Sequence, residues 1–156
     1  MQVNLEDIKA RLPKFNIKFI VNYPPTPQKR HRDRRGGGKY DPSSQQKKDF
    51  LILCLQYAPK ELPTCAVELT IDFMFKRPKS HYRTGKFSKI LKENAPDYHK
   101  QVPDLDNLVK FIKDAFKGVF WKDDSQVFLL RARKHWNTSQ LETYKACIGI
   151  GIRYVG

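Results

Sequence analysis

Strict alternation of apolar and polar residues is the feature that most limits how this chain can fold. In "YKACIGIGIRY" the residues Tyr144, Ala146, Ile148, Ile150, Ile152 and Tyr154 occupy every second position. "VELTIDFMF" repeats the pattern, with Val67, Leu69, Ile71, Phe73 and Phe75 opposite Glu68, Thr70 and Asp72. "FNIKFIV" does so again through Phe15, Ile17, Phe19 and Val21. A period of two belongs to a strand with one buried face, so these segments predict sheet strands covered on one side. Gly149 and Gly151, on the other face of the last strand, would let a neighbour approach closely. A further strand is expected over residues 127–133 of "SQVFLLRARKHW", which is β-prone without clean alternation.

Two stretches change the period. In "YDPSSQQKKDFLILCLQYA" Asp41 suits an N-cap and Pro42 the first helical position, with Phe50, Leu53, Cys54 and Tyr57 on one side. In "PDLDNLVKFIKDAFKGV" the residues Leu105, Leu108, Val109, Ile112, Ala115, Phe116 and Val119 form an i, i+3, i+4 stripe that Gly118 can end. Strands interleaved with helices predict an α+β fold: a mixed or antiparallel sheet of about four strands with helices packed on it. At 156 residues the chain suits one domain spanning 1–156.

Two long connections interrupt this order. Residues 24–40, "PPTPQKRHRDRRGGGKY", hold six Lys or Arg and three consecutive glycines, a composition expected to form a flexible basic loop. Residues 76–100 form a second basic connection, likewise expected to be a flexible loop, with His81, Tyr82, Phe87, Tyr98 and His99 interspersed. Both exceed ordinary loop lengths, which points to a role beyond linkage. The net charge of +14 points to a polyanionic partner, nucleic acid first. The longest apolar run, "FLILCL", is too short to cross a bilayer and no secretory leader pattern is present, so a soluble, cytoplasmic protein with no membrane partner is expected. Cys54, Cys65 and Cys147 lack zinc-site spacing and are expected to be free thiols.

Within this basic chain "VPDLDNLVKFIKDAFKGVFWKDDSQV" gathers Asp104 with Asp106 and Asp123 with Asp124. Each pair has a plain structural reading: Asp104 as an N-cap, Asp106 as a first-turn carboxylate on the helix dipole, Asp123 and Asp124 as turn residues. The pairs can also meet. A helix over 104–118 is roughly 22 Å long, and the six residues to Asp124 span roughly 20 Å when extended. A chain turning at Gly118 and running back beside the helix would bring Asp124 to Asp104 and Asp106. Such clustered carboxylates need raised pKa values or a bound cation, and oxygen ligands favour Mg²⁺, with Mn²⁺ as an alternative. A carboxylate-held Mg²⁺ suits phosphodiester hydrolysis. Lys110, one turn after Asp106, reads either as an i, i+4 ion-pair partner or as a clamp on the scissile phosphate.

"PDLDNLVKFIKDAF" followed by "GVFWKDDSQV" closely resembles the signature of the RusA-type Holliday junction resolvases. Support comes from "RPKSHYRTGK" and from the order strand, basic loop, "YDP", helix. The resemblance implies a small α+β homodimer that binds four-way DNA junctions and makes paired, Mg²⁺-dependent nicks with ligatable ends. It places the family's essential carboxylates on Asp104, Asp106 and Asp124, with Asp123 adjacent as a further metal ligand and Lys110 as the functional lysine.

Cutting two strands of a pseudo-symmetric junction calls for two sites on a two-fold axis, hence a homodimer. Lys29, Arg30, Arg32, Arg34, Arg35 and Lys39 are expected to contact DNA phosphates, with Lys113 and Lys117 continuing the Lys110 face. Phe120 and Trp121 could pack in the core or wedge at the branch point, the core being favoured. Two other functions stay open: a metal-dependent nuclease for other branched or single-stranded DNA, and a non-catalytic DNA-binding protein whose aspartates only cap and turn.

Overall fold

A computed structural model describes residues 16–137 and 146–156, so Phe15 and Tyr144 lie outside the described residues. Strand β1 (Ile17–Val21) leads into a short hairpin, β2 (Arg32–Asp33) and β3 (Lys39–Tyr40), and then helix α1 (Ser44–Cys54). Strand β4 (Ala66–Phe75), helix α2 (Leu105–Phe116), strand β5 (Val127–Trp136) and strand β6 (Cys147–Val155) follow. The main sheet runs β1-β6-β4-β5, with β4 and β5 parallel and the other pairs antiparallel. The sheet is therefore mixed, and α2 belongs to the crossover that two parallel neighbours require.

Register explains the alternation. Phe19 and Ile71 both stand opposite Ile150, and Ile17 and Leu69 both stand opposite Ile152, so one face collects apolar side chains from three strands. Leu69, Ile71, Phe73, Ile148 and Ile152 are fully buried there. Burying each such side chain contributes about 1.5–3 kcal/mol. The expected fourth strand exists and extends to Trp136, parallel to β4, with a bulge between Val67 and Glu68 at its start.

The helices cover this face in two contacts. α2 buries Leu108, Val109, Ile112, Ala115 and Phe116 as its stripe predicts, and Phe111 as well. Phe111 faces α1, where its ring lies 5.8 Å from that of Phe50, so two helices bury a wider arc than one helix on one sheet would. In α1, Ser43 rather than Asp41 occupies the N-cap position, because the Asp41 carboxylate accepts hydrogen bonds from the Ser43 amide (2.8 Å) and the Gln28 side chain (2.8 Å). Phe50 and Cys54 are buried as expected, whereas Leu53 is 44% exposed and Tyr57 stacks on Phe19 at 4.2 Å from a turn after the helix. The three cysteines are free thiols, and burial pushes Cys54 up to about 12.

The polar face of β4 is less solvated than its pattern suggests. Glu68 is 1% exposed, held by Arg131 of β5 and by Arg153 of β6 at 2.7 Å. Farther along β4, Asp72 pairs with Arg133, which stands directly opposite it on β5.

The two connections also have defined paths. Within residues 24–40, expected to be a flexible loop, residues 32–40 form the β2–β3 hairpin, closed by the Arg34 amide on the Gly38 carbonyl at 2.9 Å. Gly36, Gly37 and Gly38 all have φ between 86° and 98°, which only glycine adopts without strain, so the glycine run shapes this tip. Residues 76–100 fold into two 3₁₀ turns and a Tyr82–Leu91 bridge. His99 stacks between Phe75 (3.9 Å) and Trp136 (4.4 Å), fixing the segment to the ends of β4 and β5.

Candidate active site

The site grows from both ends of the turn that follows α2. Asp104 takes the N-cap position with extended backbone angles, yet its side chain makes no capping bond. The plain capping role is therefore not filled by its exposed carboxylate. Asp106, in the first turn, and Lys110, one turn later, are exposed on the helix face turned from the core.

Beyond Phe116 the chain reverses at Gly118, whose φ of +83° lies in the left-handed region. The Gly118 amide donates to the Trp121 carbonyl at 2.7 Å, and the Phe120 amide to the Phe116 carbonyl at 2.9 Å. Phe120 and Trp121 are fully buried, so they are core residues and not an exposed wedge. The Trp121 indole N–H donates to Asp124 Oδ1 at 2.9 Å. Sequence reasoning treated Trp121 only as an apolar side chain and missed this bond; the signal was a Trp three residues before an acid.

Asp124 opens a 3₁₀ turn that its neighbours lock. The Asp123 carboxylate accepts from the Ser125 amide (3.0 Å), and Gln126 Oε1 accepts from the Lys122 (2.7 Å) and Asp123 (2.8 Å) amides. The Gln126 side-chain amide donates to the carbonyls of Pro63 and Cys65, tying the turn to the entrance of β4. Asp123 itself pairs with Lys117 at 2.8 Å. That ammonium, followed by the Ser125 amide, holds the Asp123 carboxyl well below the usual carboxylate range and in return raises Lys117.

The result is an open cavity of about 700 Å³ whose charged lining is Asp106, Lys110, Lys113, Asp114 and Asp124. Leu105, Val109, Leu130 and Ala132 make the apolar part. The return of the chain therefore brings Asp124 and Asp106 to one space. Asp104 does not line it, and Asp123 is turned to Lys117. Asp114 is a cavity carboxylate that the sequence reading passed over; it lies two turns after Asp106 and 3.4 Å from Lys47 of α1. Among the described residues, no group of three or more His, Cys, Asp or Glu side chains converges as a ready metal site. Unscreened carboxylates repel, and here Lys110 and Lys113 line the same cavity. Mg²⁺ is commonly held by one or two carboxylates, with water and substrate phosphate completing its shell. Asp106 and Asp124 offer that donor set, so the residues present fit such an ion.

The basic hairpin reaches the same place. The Gln28 amide donates to the Asn107 carbonyl at 2.9 Å, in the first turn of α2, and the Lys29 amide donates to Ser43 Oγ at 2.9 Å. Lys29, Arg30, Arg32, Arg34, Arg35 and Lys39 are all exposed beyond this anchor, with Arg34 5.8 Å from the Tyr40 ring. No helix among the described residues is long and apolar enough to cross a membrane.

A basic α+β domain with three carboxylates and two lysines around one open cavity has the composition of an enzyme that cuts nucleic acid. The chain belongs to the RusA endodeoxyribonuclease family, which it matches over residues 22–143. It is also 32% identical over 126 residues to YqaN of Bacillus subtilis (strain 168), described as an uncharacterized protein. That alignment covers 78% of this chain and 88% of the relative.

Proposed function

We propose that this nuclease binds four-way DNA junctions as a homodimer and resolves them by paired, Mg²⁺-dependent nicks, in the cytoplasm and in the service of recombination and repair. One observation carries the reading: Asp106, Lys110 and Asp124 line a single open cavity in a chain of net charge +14. Family membership supports the reaction class. Asp106 and Asp124 would hold the ion, while Asp104, outside the cavity lining and free of any capping bond, is near in sequence and would join them only by moving towards bound DNA and ion. When bound, Mg²⁺ or Mn²⁺ supplies Lewis acidity and lowers the pKa of a water molecule.

The chain's own residues do the rest. Lys110 presents an ammonium to the scissile phosphate as charge accumulates on it. Lys113 adds a second positive charge on the cavity wall. Trp121 orients Asp124, and the Gln126 bonds keep its turn from swinging away. Asp123 acts on Lys117 and the turn and is not needed as a ligand. Arginines and lysines of the hairpin hold phosphates near the first turn of α2. Two protomers on a two-fold axis give the paired cuts.

The test is Asp106→Asn, assayed with Mg²⁺ on four-way, three-way, flap and linear DNAs. Cleavage is expected to vanish while junction binding persists or tightens, because a negative charge near phosphate is removed. Asp123→Asn is expected to cut at close to the wild-type rate. Equal wild-type cleavage of linear duplex would refute junction specificity, and full activity of Asp106→Asn would refute the assigned role.

A further inference from the structure

The segment 76–100 holds eight Lys or Arg against Glu93 and Asp97. Both acids are already matched: Asp97 lies 3.8 Å from Arg77, and Glu93 3.7 Å from Arg83. The six remaining cations, Lys76, Lys79, Lys86, Lys89, Lys92 and Lys100, are exposed, and none forms an ion pair among the described residues. A run of lysines on a flexible chain is ordinarily a solvated surface. These sit instead on a built platform. Arg77, 6% exposed, donates to the Pro96 carbonyl at 2.9 Å, and His99 is clasped between Phe75 and Trp136. The Arg83 amide donates to the Ile90 carbonyl (2.8 Å) and the Lys92 amide to the His81 carbonyl (2.9 Å), closing the loop that carries Lys86 and Lys89.

Unpaired like charges held on an ordered scaffold repel one another and raise the free energy of the empty protein, a cost that a polyanion removes. The placement is also specific. The platform stands on β5, one edge of the sheet, while the basic hairpin departs from β1, the other edge. Three interstrand spacings, about 14 Å, separate these edges. Both segments nevertheless end at the start of α2: the hairpin through Gln28 on Asn107, the platform by running along β5 through residues 98–103 into Asp104. Two separate cationic surfaces thus flank one cutting centre.

We infer that the 76–100 platform grips the phosphates of a DNA duplex arm other than the one held by the 24–40 hairpin. This rests on the reading of the protein as a junction nuclease, but it concerns grip and is read by binding alone. The experiment compares wild type with K86A/K89A/K92A by titrating a four-way junction across a range of salt. Three lost contacts at about 0.9 each should reduce the slope of log K against log salt by roughly 2.7, and weaken binding about a hundredfold at 0.15 M salt. K86R/K89R/K92R should restore the slope, and thermal melting should match wild type because all three side chains are exposed. Shortening one opposed pair of junction arms should abolish the lysine-dependent part of the slope; shortening the other pair should leave it intact. An unchanged slope in the alanine variant, or a loss indifferent to which arms are shortened, overturns the inference. If wild type nicks no DNA yet the lysine-dependent slope remains, the nuclease reading fails and this one stands.

Discussion

Trp121→Phe isolates the link between the core and the proposed cutting centre. Phenylalanine keeps an aromatic ring in the fully buried site but removes the indole N–H that donates to Asp124 Oδ1 at 2.9 Å. A hydrogen bond to a charged group contributes about 1.5–3 kcal/mol, and Asp124, at the cavity wall, can recover part of that from water. The smaller ring also leaves a void, which costs roughly 1–2 kcal/mol in a core that relaxes incompletely. The sum is a destabilisation of about 2–4 kcal/mol, readable by urea denaturation. The effect on cleavage should be separable: with the folded fraction held near one, single-turnover nicking should fall about 10- to 100-fold, while junction affinity stays within about twofold. Asp124→Asn supplies the contrast, since it keeps an oxygen acceptor for the indole but loses the charge. It should retain most of the stability and lose the activity. If Trp121→Phe lowers stability as stated yet nicks at the wild-type rate, orientation of Asp124 by the indole is wrong, and Trp121 is core alone.

The buried Glu68 predicts an acid response. Burial raises its pKa, but the Arg153 and Arg131 guanidiniums outweigh that and hold it below the ordinary 4.5. A depressed folded-state pKa means the stabilisation is complete above pH 4.5 and is lost as pH falls through the lower folded value. Glu68→Gln should therefore cost about 2–4 kcal/mol at pH 7 and show a flatter fall in melting temperature below pH 4.5; an equally steep fall in the variant would refute the assignment. In the hairpin, Arg34→Ala with Arg35→Ala should reduce the salt slope of junction binding by roughly two units, and an unchanged slope would remove the hairpin from the interface.

What could be read from the residues beforehand was whatever has a period. Alternation located the strands, and the stripe of α2 located the helix whose face then proved wider by Phe111, a residue buried by a second helix that no local pattern announces. The parallel pairing of β4 with β5 could not be read, because alternation says which face is buried and nothing of which strand lies beside it. Asp106, Lys110 and Asp124 were legible as chemistry, but the choice of Asp124 over Asp123 becomes physical only in three dimensions. There one carboxylate answers a lysine and its neighbour answers a buried indole. Gln28 and Gln126 left no sequence signal, since each acts through backbone groups distant in the chain. Composition suggested a loose 24–40 segment, and the three glycines that suggested it are the residues that let the hairpin close.

The parallel pairing of β4 and β5 also sets an order of events. It joins strands separated by residues 76–126, a long closure whose entropy must be met before any contact between them forms. Such non-local pairings are slow to form. The cavity wall includes Leu130 and Ala132 of β5 facing α2, so it exists only after that closure. A nascent or partly unfolded chain already carries the positive charge that draws it to DNA, but has not yet assembled the cavity proposed to break it. The topology separates attraction from damage, and damage becomes available only to the finished molecule.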